Sequence, residues 1–382
     1  MIVQLKSQIA LLIIELSNCA IWTMRNLLWP LKRPNNFKRI CIHRIGTIGD
    51  TLCVLPVIYS IRKKYPNARI TILTSTGSIS NYGLSKLSSV LPWVDYIYDY
   101  TEKGKISIVG KVSILKRLRR SHFDLWVALP QSSTTITREL RDMLMARMTG
   151  VKWAIGFNVR TTTFFKHEQA ISRNFKNEAE FLQTLVLKAG IAINHDDETC
   201  LQIPVNLNIN SHSRVDQMIK TRMPILVIAP GAKRQTNRWA VERFSEVARR
   251  WADRSGYVVV VGSTSDEASG KQIAGINSNQ ILNFCGQTDL IETMSLLKHC
   301  TVALTNDSGP MHMAVAMQLP VVVAFSARDF PGLWHPTASK NTVIIRKKVE
   351  CSPCLAEECF NENLCLNSIS VEEVWEKIEK YL

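Results

Sequence analysis

The sequence lacks an uninterrupted apolar run long enough to cross a bilayer. A spanning helix needs about 20 apolar residues, and the apolar stretch 9–31 is interrupted by Glu15, Asn18, Arg25 and Asn26. A secretory signal peptide is also not evident, because a basic start and a small-residue cleavage site are both missing. These absences disfavour an integral membrane protein and a secreted one.

Two functional signatures are absent as well. A nicotinamide-dependent oxidoreductase on a doubly wound fold would carry a Gly-x-Gly-x-x-Gly turn with an acid about 20 residues further on, and the chain has no such run. It also has no signature of a nucleic-acid-binding module. We therefore expect neither activity, and no nucleic-acid partner.

Acidic residues are few relative to basic ones. The chain contains 32 Asp and Glu against 47 Lys and Arg, which gives a formal charge of +15. A bias of this size indicates something about partners and nothing about the fold. An anionic membrane surface or a phosphorylated acceptor would suit it, and a basic surface that is merely solvated is the alternative.

The ten cysteines do not follow the pattern of a secreted disulfide framework, so we expect a reducing, cytoplasmic compartment. Four of them are concentrated near the C-terminus, namely Cys351, Cys354, Cys359 and Cys365. Their spacing permits a zinc knuckle. Buried thiols or disulfide pairs are the alternatives.

The N-terminal extension, residues 1–36, combines tryptophans with basic residues. Trp22 and Trp29 lie near Arg25 and the Lys32-Arg33 pair, which is typical of a helix at a membrane interface. We therefore expect an interfacial helix. A spanning helix, and a helix packed on the protein or a partner, are the alternatives.

Short apolar runs alternate with helical stretches along the rest of the chain. Residues 37–190 begin with a strand at 39–45, a helix at 51–64 and a strand at 69–74, which is a βαβ unit and predicts a parallel sheet. A polar stretch, 191–222, is predicted to be a linker region.

Residues 223–350 repeat the alternation, and residues 351–382 hold the cysteine-rich segment and a C-terminal helix. Continuous apolar runs are typical of strands buried on both faces. The pattern predicts two Rossmann-like, doubly wound α/β domains facing a central cleft, with ligands at the carboxyl ends of the strands.

Three turns carry the residues that could perform chemistry. The first, Gly46-Thr47-Ile48-Gly49-Asp50, follows a strand and opens a helix. Its glycines permit close approach of a ligand, and the helix N-terminus offers free N–H groups. Asp50 falls at the expected N-cap position, so simple helix capping is the alternative to a catalytic role.

The second turn, residues 306–312, also joins a strand to a helix. The N–H groups of Ser308 and Gly309 could hold phosphate, Asp307 could accept from sugar hydroxyls, and His312 follows one helical turn later. The third turn, 231–239, begins with Gly231 and contains basic residues suited to a diphosphate. An ordinary helix cap and a solvated basic loop are the respective alternatives.

Taken together, these turns resemble glycosyltransferase family 9, the ADP-heptose:lipopolysaccharide heptosyltransferases. The resemblance covers residues 38–382. It rests on the Arg44-x-x-x-x-Gly49-Asp50 pattern, the Gly231-Ala232 turn with Arg238-Trp239, the Asp307-Ser308-Gly309-x-x-His312 turn and the tail Cys351-x-x-Cys354.

The family implies a GT-B fold, with the acceptor on the N-terminal domain and the sugar nucleotide mainly on the C-terminal one. It implies an inverting transfer with no obligatory metal or other cofactor, in which Asp50 is the general base. The donor would be a nucleotide-diphosphate sugar, ADP-heptose by resemblance, and the acceptor a lipopolysaccharide core or related glycolipid at the inner membrane. The donor-binding residues implied are Thr47, Gly49, Gly231, Lys233, Arg238, Glu267, Asp307, Ser308, Gly309 and His312.

One position departs from the family. Asn237 stands where the family commonly has Lys, two residues before Trp239. Neutralisation of the diphosphate must then come from Arg238, Lys233 or Arg234, or the donor differs. Two alternatives therefore stay open, a transferase with another sugar donor and a non-catalytic, membrane-associated protein that binds nucleotide sugars.

Overall fold

The computed structural model describes residues 2–29, 34, 36–75, 84–100, 108–161, 177–191, 213–336 and 341–382. The chain divides into two compact units, Met1–Cys200 (unit 1) and Leu201–Leu382 (unit 2). The division falls inside the polar stretch 191–222, whose described part includes a helix.

Unit 1 is built on a parallel sheet. Its strands are β1 (Arg39–Ile45), β2 (Arg69–Ser75), β3 (Tyr96–Asp99), β4 (Leu125–Ala128) and β5 (Trp153–Ile155). They are ordered β3-β2-β1-β4-β5, and all described pairings are parallel. The central strands are buried on both faces because helices cover the sheet.

The helices of unit 1 are α1 (Ile2–Leu28), α2 (Ile48–Leu52), α3 (Leu55–Lys64), α4 (Ile108–Arg120), α5 (Ile136–Met148) and α6 (Glu178–Lys188). The single helix predicted at 51–64 is therefore wrong: it is two helices. Pro56 lies in the first turn of α3. Because proline cannot continue an existing helical ladder, it begins a new helix there.

Helix α1 packs against α5 and is held to unit 1 by polar contacts. The Asn18 amide donates to the Val159 carbonyl at 2.9 Å and accepts from the Val159 N–H at 2.7 Å. Arg25 lies 3.9 Å above the Trp153 ring, and the Trp29 indole donates to a backbone carbonyl. In the described part of the chain, no helix combines the length and the hydropathy needed to span a membrane.

Unit 2 has a second parallel sheet. Its strands are β6 (Ile225–Ala229), β7 (Tyr257–Val260), β8 (Ile281–Asn283), β9 (Val302–Asn306), β10 (Val321–Phe325) and β11 (Thr342–Arg346). They are ordered β11-β10-β9-β6-β7-β8 and pair in parallel. This is the strand order of a Rossmann domain.

The helices of unit 2 are α7 (Ser213–Lys220), α8 (Val241–Asp253), α9 (Glu267–Ala274), α10 (Leu290–Leu297), α11 (Gly309–Ala316), α12 (Leu364–Asn367) and α13 (Val371–Ile378). The core between sheet and helices includes Trp239, Phe244, Trp251 and Trp375. Helix α13 packs on α8, so the C-terminal segment belongs to this core.

Each sheet reverses its winding direction at one place. In unit 1 the chain runs outward from β1 to β3 and then returns to place β4 beside β1. In unit 2, β9 returns beside β6 in the same way. Loops leaving the carboxyl ends at such switch points splay apart and form a crevice where ligands bind. The turns at 46–50, 231–239 and 306–312 leave three of these strands, β1, β6 and β9 respectively.

Candidate functional site

Asp50 lies at the start of α2, in the turn that follows β1. Thr47 is the N-cap and Asp50 the third helical residue, so the predicted N-cap position of Asp50 is wrong. Asp50 Oδ2 accepts from the Thr47 N–H at 2.7 Å and from the Thr47 hydroxyl at 2.8 Å. This contact satisfies a free donor of the first turn and fixes the carboxylate.

The other carboxylate oxygen of Asp50, Oδ1, accepts no hydrogen bond from the described residues and has no ion-pair partner among them. Asp50 is half-buried. Gly46 makes room for this arrangement, since a Cβ there would lie 2.5 Å from the Asp50 Cβ. The turn therefore presents one constrained carboxylate with an oxygen available to a ligand.

A buried ionic network holds the backbone of this turn. The Arg44 guanidinium donates to the carbonyls of Asp50, Leu129 and Pro130 at 3.3, 3.2 and 2.8 Å. It also pairs with Glu178 at 3.0 Å, and Arg160 pairs with the second oxygen of the same carboxylate. The network ties the turn after β1 to the turn after β4. Sequence reasoning assigned no role to Glu178.

A small cavity of about 30 Å³ opens at the carboxyl ends of β1 and β4. Its lining includes His43, Gln131, Arg138 and Glu139. His43 is buried, and its Nε2 has no hydrogen-bond partner among the described residues. Burial raises the pKa of Glu139 to about 8, with Asp142 adding to the shift. The cavity thus offers several polar groups to a hydroxylated ligand.

In unit 2, Asn306 at the end of β9 organises the turns around it. Its amide donates to the Pro230 carbonyl at 2.7 Å and accepts from the Trp239 N–H at 2.9 Å. The side chain is fully buried. It therefore joins the turn after β6, the segment before α8 and the turn after β9, and it places the next residue, Asp307.

Asn237 binds Asp307 directly. The Asn237 amide nitrogen lies 3.2 Å from both the backbone carbonyl and the Oδ2 of Asp307. Burial, with the neighbouring Asp329, raises the pKa of the Asp307 carboxyl to about 8, and nearby arginines oppose the rise only in part. At the position where the family commonly has Lys, this chain thus has Asn237, an uncharged residue that contacts Asp307.

The N-terminus of α11 offers backbone donors. Ser308 is its N-cap and Gly309 its first residue, and their N–H groups donate to no other described residue. Free N–H groups and the positive end of the helix dipole favour an anion. His312 is half-buried, in the first turn of this helix. Phosphate binding at this turn stays a prediction, which the free N–H groups of Ser308 and Gly309 support.

Two of the basic residues predicted to bind the diphosphate have protein partners. Arg238 donates to the Ala232 carbonyl at 2.8 Å and lies 3.4 Å from Asp266, and Arg234 pairs with the exposed Glu357. Lys233 is exposed. Only Lys233 therefore remains without a described ion pair.

Arg328 and Arg346 were missed by sequence reasoning. Arg328 is buried just beyond β10, and Arg346 ends β11. The positive charges of both arginines lower the pKa of the Asp307 carboxyl and so oppose part of its rise. The sequence does indicate Arg328, because the pair Arg328-Asp329 closely follows the apolar run of β10. In a doubly wound fold, ligands bind at the carboxyl ends of such strands.

Gly231 and Glu267 lie near a carboxylate that sequence reasoning did not single out. A Cβ on Gly231 would be 2.4 Å from Asp266 Oδ2, so the glycine is required for close approach. Asp266 is buried, whereas the Glu267 side chain is 45% exposed and reaches Lys271 at 3.9 Å. Asp266 is therefore the more constrained acid of this turn.

The turns around Asp50 and Asp266 have the same construction. Each has the pattern Gly-Ser/Thr-x-x-Asp, and Ser263 donates its N–H and hydroxyl to Asp266 Oδ2 as Thr47 does to Asp50. The two turns differ in the environment of the second carboxylate oxygen. In Asp266 this oxygen, Oδ1, lies 3.4 Å from the Arg238 guanidinium. Only in Asp50 is that oxygen free of a described cation.

The four C-terminal cysteines are half-buried free thiols. Burial is the main cause that raises the pKa of the Cys354 thiol. Within the described residues, no three or more His, Cys, Asp or Glu side chains come together as a metal site would require. The structure thus gives the predicted zinc knuckle no support.

Comparisons with known proteins agree with this geometry. The family model described as glycosyltransferase family 9 (heptosyltransferase) matches residues 112–365. The chain is 22% identical over 353 residues to lipooligosaccharide heptosyltransferase 2 of Campylobacter jejuni, covering 90% of this chain and 98% of the relative. It is 25% identical to lipopolysaccharide heptosyltransferase 3 of Escherichia coli K12, covering 75% and 82%.

Solved structures of the family share the fold. The Escherichia coli ADP-heptose LPS heptosyltransferase II superposes with a TM-score of 0.63 at 20% identity, over 90% of this chain and 98% of that one. A family 9 glycosyl transferase from Veillonella parvula gives 0.71 at 18% identity, over 91% and 98%. Because the family model spans more than half of the sequence, the chain belongs to glycosyltransferase family 9 and is a glycosyltransferase with two Rossmann-like domains of the GT-B fold.

Proposed function

We propose that this glycosyltransferase moves a sugar, with inversion, from a nucleotide-diphosphate sugar to a hydroxyl of a lipopolysaccharide-type core glycolipid. ADP-heptose is the proposed donor, since the relatives are named heptosyltransferases and one is named for ADP-heptose. The reaction takes place at the cytoplasmic side of the inner membrane, and the free thiols of the described chain suit that compartment.

The free oxygen of Asp50 is the observation that carries this proposal. In a direct displacement, the acceptor oxygen attacks the anomeric carbon, the bond to the diphosphate breaks, and the acceptor proton passes to Asp50. Thr47 holds Oδ2 and leaves Oδ1 for the proton. A positioned base of this kind typically contributes a rate factor of about 10² to 10⁴.

The donor is proposed to bind to unit 2. Ser308 and Gly309 hold the diphosphate with backbone N–H groups, Asp307 contacts the sugar, and the surrounding cations balance the phosphate charge. Gly231, Lys233, Arg238, Glu267 and His312 complete the donor site in unit 2, and Thr47 and Gly49 stay predicted as further donor-binding residues. The acceptor sugar is proposed to bind over the cavity beside β1 and β4 and to contact its polar lining.

One observation favours a donor other than ADP-heptose. Asn237 provides an amide where a lysine would provide a charge, and it binds Asp307. This lowers the positive charge available to a diphosphate and changes the wall around the sugar. A hexose donor on the same nucleotide is therefore the alternative substrate.

A thermal-shift panel of nucleotide sugars tests the donor class. At a hundredfold excess over Kd, a ligand of the folded state alone should stabilise it by about 2.7 kcal/mol. We expect stabilisation by ADP-heptose or another ADP-sugar, and none by UDP- or GDP-sugars. An exclusive response to UDP- or GDP-sugars would contradict the proposed nucleotide, and no response to any of them would contradict donor binding altogether.

A further inference from the structure

The outer side of α1 carries an unpartnered apolar stripe. The inner side docks on unit 1 through Ile21, Asn18 and Trp29. The outer side exposes large apolar side chains at helical spacing. These side chains are Ile9, Leu12, Leu16, Met24 and Leu27, with Trp22 at the flank, and they are 40% to 77% exposed.

Helix α5, which packs against α1, also exposes apolar side chains. Leu140, Leu144 and Met148 recur every four residues along its exposed side, and Leu144 is 57% exposed. Large exposed apolar patches on a protein often mark sites that bind a partner or a membrane. We call these side chains of α1 and α5 the apolar face.

Basic side chains accompany the apolar face. Arg138 and Arg147 are exposed on α5, and its two acidic residues are engaged elsewhere: Glu139 is buried and Asp142 pairs with Arg141. Helix α4, which packs against α5, has no acidic residue in its described side chains. It exposes Lys111, Lys116, Arg117, Arg119 and Arg120.

We propose that the apolar face inserts into the interfacial layer of an anionic bilayer, with the basic residues of α4 and α5 binding its headgroups. Apolar insertion and cationic contact are the two forces that hold interfacial helices on such membranes. A second copy of this chain fits less well, because a two-fold interface would bring the same basic residues against themselves.

The purpose of membrane binding rests on the proposed function, because a glycolipid acceptor lies in the bilayer. Helix α5 then has two roles. The inner side of α5 contributes Glu139 and Asp142 to the cavity proposed for the acceptor, while its outer side carries Leu140 and Leu144. A glycolipid could then keep its acyl chains in the bilayer while its sugar reaches the cavity. The enzyme thus takes its acceptor at the membrane surface.

Flotation of the full chain with vesicles tests the proposal without any substrate. Vesicles of phosphatidylcholine mixed with phosphatidylglycerol are compared with vesicles of phosphatidylcholine alone. We expect binding to the anionic vesicles that weakens with salt. The variant Leu12→Gln/Leu16→Gln should weaken it about tenfold per residue, and so should Leu144→Gln. The variant Arg119→Gln/Arg120→Gln should weaken it about fivefold per residue.

Matched changes in unit 2 serve as controls. Ile276→Gln alters an exposed apolar residue, and Lys271→Gln/Lys377→Gln removes two exposed charges; both should bind vesicles like the wild type. Thermal melting confirms that all variants are folded. Transfer to a lipid-free oligosaccharide acceptor should be unchanged in the Leu12→Gln/Leu16→Gln variant.

Three results would overturn the proposal. The first is a wild type that stays unbound with anionic vesicles, and the second is a set of apolar-face variants that bind as the wild type does. The third is a dimer in vesicle-free solution that Leu12→Gln/Leu16→Gln dissociates, since the face would then be covered by a second copy. A failed transfer reaction alone would count against the proposed function and leave vesicle binding to be judged separately.

Discussion

Asp307 is the residue whose ionisation has the clearest consequence. Its carboxyl has an ordinary pKa of 3.8, and burial together with Asp329 raises the pKa to about 8. The carboxyl is therefore mostly protonated at neutral pH, when no ligand is bound. A neutral Asp307 can stand beside a diphosphate without repelling it, which explains how an acidic residue is accommodated next to Ser308 and Gly309.

The variant Asp307→Asn tests this ionisation. As pH rises through about 8, the wild type gains a negative charge beside the phosphate site, so donor affinity should fall by about tenfold, and the variant should show no such fall. Titration of donor binding between pH 6 and about 9.5 measures it. Identical pH curves for the two proteins would contradict the protonated state.

Stability gives an independent readout of the same group. Because the folded pKa lies above the unfolded one, the folded state binds the proton more tightly. The stabilisation is complete below about pH 4 and is lost as pH rises towards about 8. The free energy of unfolding should therefore decrease with pH less steeply in Asp307→Asn than in the wild type.

Arg44 is a positioning residue for Asp50. One guanidinium contacts the Asp50 carbonyl, the turn after β4 and Glu178, all in a buried environment. A lysine keeps the charge but cannot donate in three directions with the same fixed geometry. Replacing Glu178 instead would leave two buried arginines unpaired, which typically costs about 3–5 kcal/mol.

For Arg44→Lys we expect kcat to fall about tenfold, the donor KM to stay within about twofold, and stability to fall by about 1–2 kcal/mol. Steady-state kinetics and thermal melting measure these quantities. Arg249→Lys, on an exposed ion pair of α8, is the control and should change neither. An unchanged kcat in Arg44→Lys would remove the positioning role.

At the scale of the element, the turn between β1 and α2 is the most demanding segment. Gly46 has a positive φ, and any Cβ there would overlap the Asp50 side chain. Gly150 also has a positive φ, but a Cβ there would meet no atom within 4 Å. Substituting each glycine therefore distinguishes two effects. Both substitutions strain the backbone, but only a Cβ at Gly46 would displace Asp50.

We predict that Gly46→Ala lowers kcat about a hundredfold, because a carboxylate displaced by about 1 Å loses its alignment with the acceptor. Gly150→Ala should lose about 1 kcal/mol of stability and keep its kcat. Kinetic assays with melting curves of both variants decide the question. Equal kinetic losses would show that the effect is general strain and not displacement of Asp50.

Strands were the elements most accessible from the sequence. The runs at 225–229 and 321–325 are continuous and apolar because both faces of each strand are buried, and this pattern is visible without a structure. Helix ends were harder to place. The break before Pro56 and the N-cap at Thr47 depend on which of several suitable residues the tertiary structure selects.

The side-chain network of the site was largely inaccessible from the sequence. Arg44, Glu178 and Arg160 are separated by long stretches of chain and meet only when the sheet of unit 1 is assembled. Asn237 was recognised as a departure from the family pattern, but its bond to Asp307 depends on the loop geometry of β6 and β9. Motifs thus identified the turns, and folding determined the partners.

At the scale of the whole molecule, the two units have related turns with different charges. Unit 1 presents a carboxylate without a described cation, which suits deprotonation of an acceptor. Unit 2 presents backbone donors and several cations, which suit a diphosphate. The GT-B fold that holds these two units is shared by named heptosyltransferases.

The transfer assay on Asp50→Asn tests the central claim most directly. Asparagine can still accept the Thr47 hydrogen bonds, so the turn should keep its geometry, and Asp289→Asn at the N-cap of α10 controls for changes at a helix start. We predict that transfer from a bound nucleotide sugar falls about a thousandfold while donor binding, measured by thermal shift, is unchanged. A transfer rate within about twofold of the wild type would show that Asp50 is not the base.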